Sequence, residues 1–566
     1  MAEYLSPGVY VEEYDNSPRS IEGVGTSTAG FIGLAEKGPI EGAPLLVTSM
    51  RSFRQQFGGF LSEFGYGEFR FLANSVEQFF DNGGTRCYVM RVAPKDAKCA
   101  AVKKGLLDIT ASSPGTWGNK IQITLSTNTR RKLQLVEKTD AGYVAKNIDG
   151  FREGDIVVFE STYTRIKTIF DNVVTFEDEL PKQAVDAGIV PKSLLYLVTM
   201  DMSVRFGDDV ENYSELSLNP ESPKYIGARL ANSDIIKVEV TPQKKANNPV
   251  SDILGKDLKD GVFFLEGGSD GSVSKVDPST FIGEDNGPGK RSGLQSFVDN
   301  NIVSMLAIPG VTMPEVVVAL VGHCERLRSR FAVLDMPKEM TKTADLIQYR
   351  QMVDSTYCAM YHPWIQVFDR SSNKTDAIPP SGAVMGVYSR TDIDRGVHKA
   401  PANEPVFCTG LSVNYTKDEQ DILNPEGINL IRALPGQGIR VWGARTASSN
   451  SAFKYVNVRR LFIYVEESIK ANTNWVVFEP NDPTLWQRVN LTISNFLEGL
   501  WRNGMLAGES ASEAYFVEIG PSTMTRDDIM NGRLICNIGI APSRPAEFVI
   551  FRVTQHTSEA GGGSEE

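Results

Sequence analysis

The pattern of hydrophobic and polar positions along this chain changes more than once between the periodicity of helices and that of strands. Near the N-terminus, Phe31–Pro39 (FIGLAEKGP) is typical of a strand that runs into a turn. Apolar residues at helical spacing predict helices over Ser49–Phe57 and Phe69–Asn82, and Cys87–Val92 (CYVMRV) predicts another strand. This order of elements indicates an α/β core that begins before residue 97.

Short, β-branched segments separated by turn residues fill the region from residue 97 to residue 264. Their spacing predicts a β-sandwich or a barrel-like insertion. The predicted strands are Ile121–Ser126, Lys132–Lys138, Asp155–Glu160, Thr164–Phe170, Val173–Phe176 and Leu194–Thr199. Two stretches rich in Gly, Ser, Asp and Asn are predicted as loops, Asn247–Gly261 and Gly267–Asn286.

Helical and extended patterns alternate again after Leu294. The predicted strands are Ile302–Ile308, Phe331–Asp335 and Trp364–Phe368, and the predicted helices between them are Pro314–Arg328 and Asp345–Met360. Such alternation predicts a largely parallel sheet with helices packed on it.

The last part of the chain has a mixed pattern. Amphipathic spacing predicts helices over Val458–Ile469 and Leu485–Leu500, with Arg459 and Arg460 on the more polar side of the first. The predicted strands are Ile428–Ala433, Ile439–Gly443, Leu534–Ala541 and Glu547–Gln555.

These patterns together predict an α/β and α+β multidomain fold, in which β-rich insertions interrupt an α/β core and strand-forming arms lie at both ends. Val9, Tyr10 and Val11 follow a Pro-Gly turn signal. So short a segment does not form a sheet by itself, and we expect it to join another sheet. The predicted divisions are an N-terminal arm (1–20), the first part of the core (21–96), inserted outer domains (97–264), an α/β domain (265–410), an α+β domain (411–540), and a C-terminal arm with a flexible tail (541–566).

Composition narrows the possible partners. A formal net charge of −12 without a Lys/Arg-rich tract argues against nucleic-acid binding, which needs a basic surface. No apolar run approaches the roughly 18 residues of a membrane span, and the first residues lack the pattern of a signal peptide. Six scattered cysteines without a C-x-x-C pair are typical of reduced thiols.

Motifs that carry catalysis are weak throughout. Gly23–Gly30 is rich in glycine but lacks the G-x-G-x-x-G spacing, and no Gly-Lys-Ser/Thr follows it. The four histidines form no H-x-x-x-H pair, and no G-x-S-x-G elbow occurs. We therefore expect no catalytic, cofactor-binding or metal-binding residues. An α/β hydrolase with a β-rich binding domain and a monomeric binding module are the competing interpretations.

A series of segments resembles one family, the tail sheath proteins of contractile bacteriophages and of related phage-tail-like contractile injection systems. The resemblance lies in blocks that occur in order along nearly the whole chain, with the region 97–264 the least similar. The blocks are SPGVYVEE (Ser6–Glu13), FIGLAEKGP (Phe31–Pro39), FFDNGGTRCYVMRV (Phe79–Val92), PGTWGNKI (Pro114–Ile121), PPSGAVMGVYSRTDIDRGVHKAPAN (Pro379–Asn403), LNPEGINLIRALPGQGIRVWGART (Leu423–Thr446), YVNVRRLFIYVEESI (Tyr455–Ile469) and NGRLICNIGIAPSRPAEFVIFRV (Asn531–Val553).

This resemblance implies a structural protein, not an enzyme. Many copies would form a helical sheath, as stacked hexameric rings, around an inner tail tube, with baseplate and tail terminator proteins at the ends and without a cofactor. The sheath would be made and assembled in the bacterial cytoplasm, and would belong to a virion tail or to a non-viral particle; the sequence leaves that choice open. It would contract from a metastable extended state and drive the tube through a target envelope.

The resemblance also assigns residues. Arms at both chain ends would extend the sheets of neighbouring subunits, and a basic helix near the C-terminus would face an acidic tube surface. The arm residues are Val9, Tyr10 and Val11 at one end and Phe548, Val549, Ile550, Phe551, Arg552 and Val553 at the other. The candidates for tube contact are Arg459 and Arg460, or Arg488 and Arg502.

Overall fold

The computed structural model of the chain describes residues 20–181, 194–255, 261–369 and 373–550. Its α-helices in chain order are α1 (Met50–Phe57), α2 (Glu63–Tyr66), α3 (Leu72–Asp81), α4 (Ile226–Leu230), α5 (Pro249–Leu254), α6 (Pro278–Ile282), α7 (Pro314–Leu327), α8 (Thr343–Arg350), α9 (Ser381–Arg395), α10 (Lys417–Leu423), α11 (Val456–Asn472), α12 (Pro483–Arg502), α13 (Ala511–Ala514) and α14 (Arg526–Met530).

The strands fall into three groups along the chain. The first group is β1 (Ala29–Leu34), β2 (Leu45–Val47) and β3 (Cys87–Val92). The β-rich middle contains β4 (Ala101–Lys104), β5 (Leu107–Ala111), β6 (Gln122–Asn128), β7 (Lys132–Thr139), β8 (Gly142–Lys146), β9 (Ile156–Phe159), β10 (Thr162–Phe170), β11 (Val173–Phe176), β12 (Leu194–Leu197), β13 (Thr199–Phe206), β14 (Asp209–Leu216), β15 (Ile236–Val240) and β16 (Val262–Phe264). The last group is β17 (Met305–Ala307), β18 (Phe331–Asp335), β19 (Cys358–His362), β20 (Ile365–Asp369), β21 (Lys374–Ile378), β22 (Glu404–Pro405), β23 (Gly410–Leu411), β24 (Ile428–Leu434), β25 (Gly438–Val441), β26 (Tyr515–Ile519) and β27 (Cys536–Ile540).

A nine-stranded sheet in the order β2-β3-β1-β17-β18-β19-β24-β25-β22 forms the centre of the molecule. Its six middle strands, from β3 to β24, are all parallel. Strand β1 pairs with β3 on one side and with β17 on the other, so the chain leaves the sheet after Val92 and returns at Met305. The largely parallel sheet predicted from the alternating pattern is therefore confirmed, and the β-rich middle interrupts it.

Helices cover both faces of this sheet because successive residues of a strand point to opposite sides. In β18, Phe331 and Val333 pack with α3 and α9, while Ala332 and Leu334 pack with α7 and α8. The result is a three-layer α/β core with one apolar cluster on each side of the sheet.

The β-rich middle contains a closed barrel of β7 to β12, a four-stranded sheet and a three-stranded sheet. The barrel is itself an insertion between β6 and β13. These two strands pair as an antiparallel hairpin, and the barrel occupies the position of the hairpin loop between Asn128 and Thr199. Of the two predicted alternatives, the structure therefore contains a barrel. The predicted strand Leu194–Thr199 is divided, since β12 closes the barrel and β13 begins the next sheet.

A smaller unit follows the sheet toward the C-terminus. Leu461 and Val465 of α11 pack against Leu485, Val489 and Ile493 of α12 in a separate apolar cluster. The antiparallel pair β26–β27 lies against the same cluster. The two amphipathic helices are thus confirmed as a packed pair.

One predicted helix is wrong in its second half. The sequence pattern predicts a helix over Asp345–Met360, but α8 ends at Arg350 and Cys358–His362 forms β19 in the middle of the sheet. All five residues of β19 are buried. A strand buried on both faces is continuously apolar, so it lacks the alternation that distinguishes a strand from a buried helix.

Three smaller predictions also change. The predicted loops Asn247–Gly261 and Gly267–Asn286 contain the short helices α5 and α6, whose N-caps Asn248 and Asp277 accept hydrogen bonds from the first turn. The predicted strand Glu547–Gln555 has no regular structure as far as residue 550, and its remainder lies outside the described residues.

Candidate assembly interface

The predicted C-terminal arm residues follow directly after Glu547, which is held by the folded body. The Glu547 carboxylate accepts hydrogen bonds from Nε and Nη2 of Arg445, both at 2.7 Å. The Tyr455 hydroxyl donates at 2.9 Å and Asn424 Nδ2 at 2.8 Å. Burial would raise the pKa of Glu547, but these donors outweigh burial and hold its pKa below its ordinary value. Glu547 is therefore a fixed, ionised point at the root of the arm.

Exposed apolar side chains follow this fixed point immediately. Phe548, Val549 and Ile550 are 72%, 67% and 78% exposed. A contiguous apolar run of this kind marks an interaction surface more often than an ordinary loop. The other predicted residues of this arm lie outside the described residues: Phe551, Arg552 and Val553.

The segment that follows the predicted N-terminal arm, the root of that arm, hydrogen-bonds to helix α11. Asn472 Nδ2 donates a hydrogen bond to the Glu22 carbonyl at 2.9 Å. The Val24 amide donates to Ser468 Oγ at 3.1 Å. The predicted arm residues, Val9, Tyr10 and Val11, lie outside the described residues.

A buried ion pair holds the same root further along the chain. Arg460 contacts Asp392 through two parallel hydrogen bonds of 2.9 and 2.5 Å, and only 3% and 2% of their side chains are exposed. Arg460 also donates to the Thr26 carbonyl at 3.0 Å, and Thr26 Oγ1 donates to Asp392 at 2.7 Å. The two parallel hydrogen bonds, together with those to Thr26, compensate the cost of removing both charges from water.

Arg459 is also buried, beside Arg460 on α11. Its guanidinium lies 3.6 Å from the ring centroid of Phe453 and 4.4 Å from that of Tyr357. The prediction that Arg459 and Arg460 occupy the polar side of their helix is therefore wrong, because aromatic faces and a buried carboxylate accommodate both guanidinium groups. Both side chains are engaged within the subunit.

The second pair of predicted arginines lies on the surface of α12. Arg488 is exposed and stacks over the Trp475 ring at 4.9 Å, and Arg502 is paired with Glu498 one turn earlier. The two arginines are about four helical turns apart, which places them on the same side of the helix. Contact with a tube stays a prediction for them.

A two-stranded ladder lies next to α12, and Asn490 of α12 donates to the Val517 carbonyl of β26 at 2.9 Å. Within the described residues, β26 pairs only with β27 and no third strand extends the ladder. Tyr515, Val517 and Ile519 face the apolar cluster, while Phe516 lies on the opposite face and is 56% exposed. Two-stranded ladders are marginal in water, so this one depends on its packing and can accept further strands.

The candidates for chemistry do not converge. Gly23–Gly30 leads directly into the buried strand β1. A phosphate-binding glycine loop leads instead into the N-terminus of a helix. Across the described ranges, no three His, Cys, Asp or Glu side chains are grouped to hold a metal ion. The helices that the structure describes are all too short or too polar to span a membrane.

Sequence reasoning missed the residues that fix the arms: Asp392, Arg445 and Glu547. All three lie inside the blocks that carry the family resemblance. Their pairing is hidden because 68 positions separate Arg460 from Asp392 and 102 separate Arg445 from Glu547.

Two family models match the second half of the chain. The phage tail sheath protein central domain matches residues 293–447, and the phage tail sheath C-terminal domain matches residues 448–556. The tail sheath protein of Escherichia phage P2 is 26% identical over 286 residues, which cover 48% of this chain and 70% of that protein. The tail sheath protein of Salmonella phage ViI is 29% identical over 278 residues, but the match spans only 43% of each chain.

Solved structures extend the likeness over nearly the whole chain. The sheath of an extracellular contractile injection system, PVC, in its contracted state is 22% identical and has a TM-score of 0.53, with 98% of this chain and 99% of that chain covered. The sheath tail protein of Listeria innocua is 12% identical and has a TM-score of 0.52, with coverage of 93% and 96%. At such identities these structures establish a shared fold. The two matched domains and the tail sheath relatives identify the chain as a member of the contractile tail sheath protein family.

Proposed function

We propose that many copies of this chain assemble into a helical sheath around an inner tube. The sheath contracts from a metastable extended state and drives the tube through a target envelope. The observation that carries this proposal is the C-terminal arm. An anchored Glu547 is followed by three exposed apolar residues, in a subunit whose β26–β27 ladder has no third strand among the described residues.

Strand addition supplies the contacts between subunits. The two chain ends, which have strand-forming sequences, would add to the ladder of neighbouring copies. An added strand satisfies its amide and carbonyl groups against the edge that it joins. Five or six such hydrogen bonds at about 1 kcal/mol each, with side-chain burial in addition, would hold neighbours together.

Contraction requires two packings of the same subunits, with the shorter one favoured once the sheath is triggered. Strands that remain paired in both states let the folded bodies rotate without separating. The driving free energy is then stored during assembly as many small differences between interfaces, and the contraction step itself consumes no cofactor.

The contact with the tube is polar and reversible in this proposal, because it has to break during contraction. Arg488 and Arg502 are the exposed candidates on α12, and an acidic tube surface is the partner that their charge fits. Reversing both charges, with Arg488→Glu and Arg502→Glu, should abolish co-assembly with the tube while sheath contacts persist. Intact co-assembly of this variant would eliminate both residues as contacts.

Stacked hexameric rings, a baseplate and a tail terminator complete the proposed particle, which is assembled in the bacterial cytoplasm. The particle is either a virion tail or a non-viral injection particle. The genes beside this one discriminate the two. Capsid genes favour a phage, whereas an ATPase gene and spike genes without a capsid gene favour an injection particle.

Electron microscopy of the purified full-length chain tests the proposal. We expect hollow, cross-striated tubes in negative stain, because the subunit carries both halves of each strand-addition contact. A chain that stays a monodisperse monomer over a wide range of concentration and salt would refute polymerisation.

Truncation tests the arms separately from polymerisation. Removing residues 1–14 should abolish tubes and leave the circular dichroism spectrum unchanged. Serine in place of Phe548, Val549 and Ile550 should have the same effect. Phe64→Ser is the matched control, because Phe64 is fully exposed but lies far from either arm in the sequence. Tubes that form normally without residues 1–14 would disprove the arm mechanism.

A further inference from the structure

Helix α11 touches the roots of both arms, and the order of these contacts along the helix is regular. Tyr455, which caps its N-terminus, donates to Glu547, and Asn457 in its first turn donates to the Ser543 carbonyl at 3.3 Å. Arg460 donates to the Thr26 carbonyl. Farther along the helix, Ser468 Oγ accepts from the Val24 amide, and Asn472 donates to the Glu22 carbonyl. The chain from Thr26 back to Glu22 therefore runs along α11 toward the C-terminal end of the helix.

The two arms consequently leave the subunit at opposite ends of one helix. Asn457 and Asn472 are 15 residues apart, about 22 Å along an α-helix. Two arginine–carboxylate pairs accompany these contacts: Arg445 with Glu547 beside the N-terminus of α11, and Arg460, in the second turn of α11, with Asp392 of α9. Both arginines are nearly buried, at 6% and 4% exposed.

We propose that α11 is the common anchor of the two arms, and that the pairs Arg445–Glu547 and Arg460–Asp392 fix the points from which the arms reach neighbouring copies of this chain. The inference rests on the proposed sheath function and adds the residues that position the arms. Because both arm roots hydrogen-bond to α11, we expect a displacement at one arm to be transmitted to the other through this helix. These are positioning residues, since they contact the arm roots of their own subunit.

Close packing at the N-terminal root supports a fixed anchor and not a loose tether. A Cβ at Gly23 would lie 2.0 Å from the Tyr464 hydroxyl oxygen, closer than any real contact. At Gly25, two residues away, the nearest atom is a terminal nitrogen of Arg86 at 3.2 Å, which is the mobile end of a long side chain. The segment therefore presses against α11 at Gly23 and is less tightly held at Gly25.

Two variants perturb one arm root each and leave the predicted arm residues Val9–Val11 and Phe548–Val553 unchanged. Glu547→Gln keeps the size of the side chain but removes the charge that Arg445 binds. Gly23→Val should push the N-terminal root away from Tyr464. Glu177→Gln and Gly25→Ala are the matched controls, because Glu177 forms an ion pair with Arg165 on the barrel and Gly25 has room to adapt.

Assembly is measured as the critical concentration for tube formation, by sedimentation and negative-stain microscopy. Each anchor variant should raise it about tenfold or more, which corresponds to about 1.4 kcal/mol per subunit, while both controls match the wild type. Anchor variants with a wild-type critical concentration would overturn the inference. If removing residues 1–14 abolishes tubes while both anchor variants assemble normally, the arm mechanism is supported and only the anchor proposal is refuted.

Hydrogen exchange on the monomer gives a second readout that does not depend on polymerisation. The Ser543 amide donates to the Met505 carbonyl at 3.2 Å, so its exchange reports how firmly the C-terminal root is held. Glu547→Gln should accelerate exchange in residues 541–543 and leave the central sheet unchanged. Unchanged exchange in residues 541–543 would overturn the anchor even if tubes fail to form for another reason.

Discussion

At the scale of single residues, Asp335 is a carboxylate buried in the α/β core. It is 4% exposed and accepts hydrogen bonds from the Gly310 amide at 3.0 Å and from the Ser381 amide and hydroxyl at 2.8 and 2.7 Å. Burial raises the pKa of Asp335 to about 6, although these donors favour the ionised form. Asp335 thereby joins the end of β18 to the start of α9.

This shift predicts a pH dependence with a definite sign. Between about pH 4 and pH 6 the folded state binds a proton at Asp335 that the unfolded state has lost, so this group's contribution to stability falls as pH rises through that window. The expected loss is about 3 kcal/mol. Calorimetric Tm values of the wild type and of Asp335→Asn across pH 4–7 measure it, since the variant lacks the titration. A difference in Tm that does not change with pH would refute the shift.

At the scale of elements, α3 and α9 pack with their backbones in unusually close contact. A Cβ at Gly382 would lie 2.2 Å from the Ser75 carbonyl oxygen, and one at Gly386 would lie 2.6 Å from the Phe79 carbonyl oxygen. Ten of the fifteen residues of α9 are buried. The glycines therefore set the distance between the two helices, and helix α9 tolerates their low helix propensity for that reason.

Replacing one of these glycines tests the close packing. Gly382→Ala should destabilise the core by about 2 kcal/mol or more, because the methyl group meets backbone that cannot move aside. Gly322→Ala on α7 is the control, since its Cβ would meet nothing within 4 Å and should stabilise the helix by up to about 1 kcal/mol. Thermal unfolding of both variants compares them. Equal Tm values would show that the contact between α3 and α9 adapts.

Elements that are amphipathic were predictable from the sequence, and elements that are buried on every side were not. The pattern located α11 and α12 because each has one apolar side facing the other. It extended a helix over β19 because the five residues Cys358–His362 are all buried. It also placed Arg460 on the surface, since a charged residue is rarely buried without a partner and Asp392 is 68 positions away.

At the scale of the whole molecule, the barrel is inserted into the chain at one point, between β6 and β13, and Arg165 and Asp155 also hydrogen-bond to Gln243 and Asn219 outside it. Thr199 pairs with Asn128, and Thr199 Oγ1 donates to the Asn128 carbonyl at 3.2 Å. The barrel also has an apolar cluster of its own, built around Leu133, Val157 and Leu195. The anchors and the β26–β27 ladder lie outside the barrel, so the proposed assembly contacts do not require it.

Deleting the barrel tests this independence. We expect a chain with residues 129–198 replaced by Asn-Gly, which suits a two-residue hairpin, to fold and to form tubes of smaller outer diameter. Negative-stain images measure the diameter, and wild-type tubes are the control. Loss of tubes from a variant that still folds would mean that the barrel contributes to contacts between subunits.

Local periodicity and ordered blocks are properties of contiguous residues, so the sequence predicted the family, the α/β alternation of the core and a β-rich insertion, with a sandwich and a barrel both left open. It also predicted arms at the two chain ends, and these arms and their docking remain a proposal. Only the tertiary structure decided that one strand of the core comes from before the insertion and its neighbour from after it. The pairs Arg445–Glu547 and Arg460–Asp392 form only in the folded structure. Such pairings depend on which distant segments share an environment that excludes water, and a linear pattern carries no record of that.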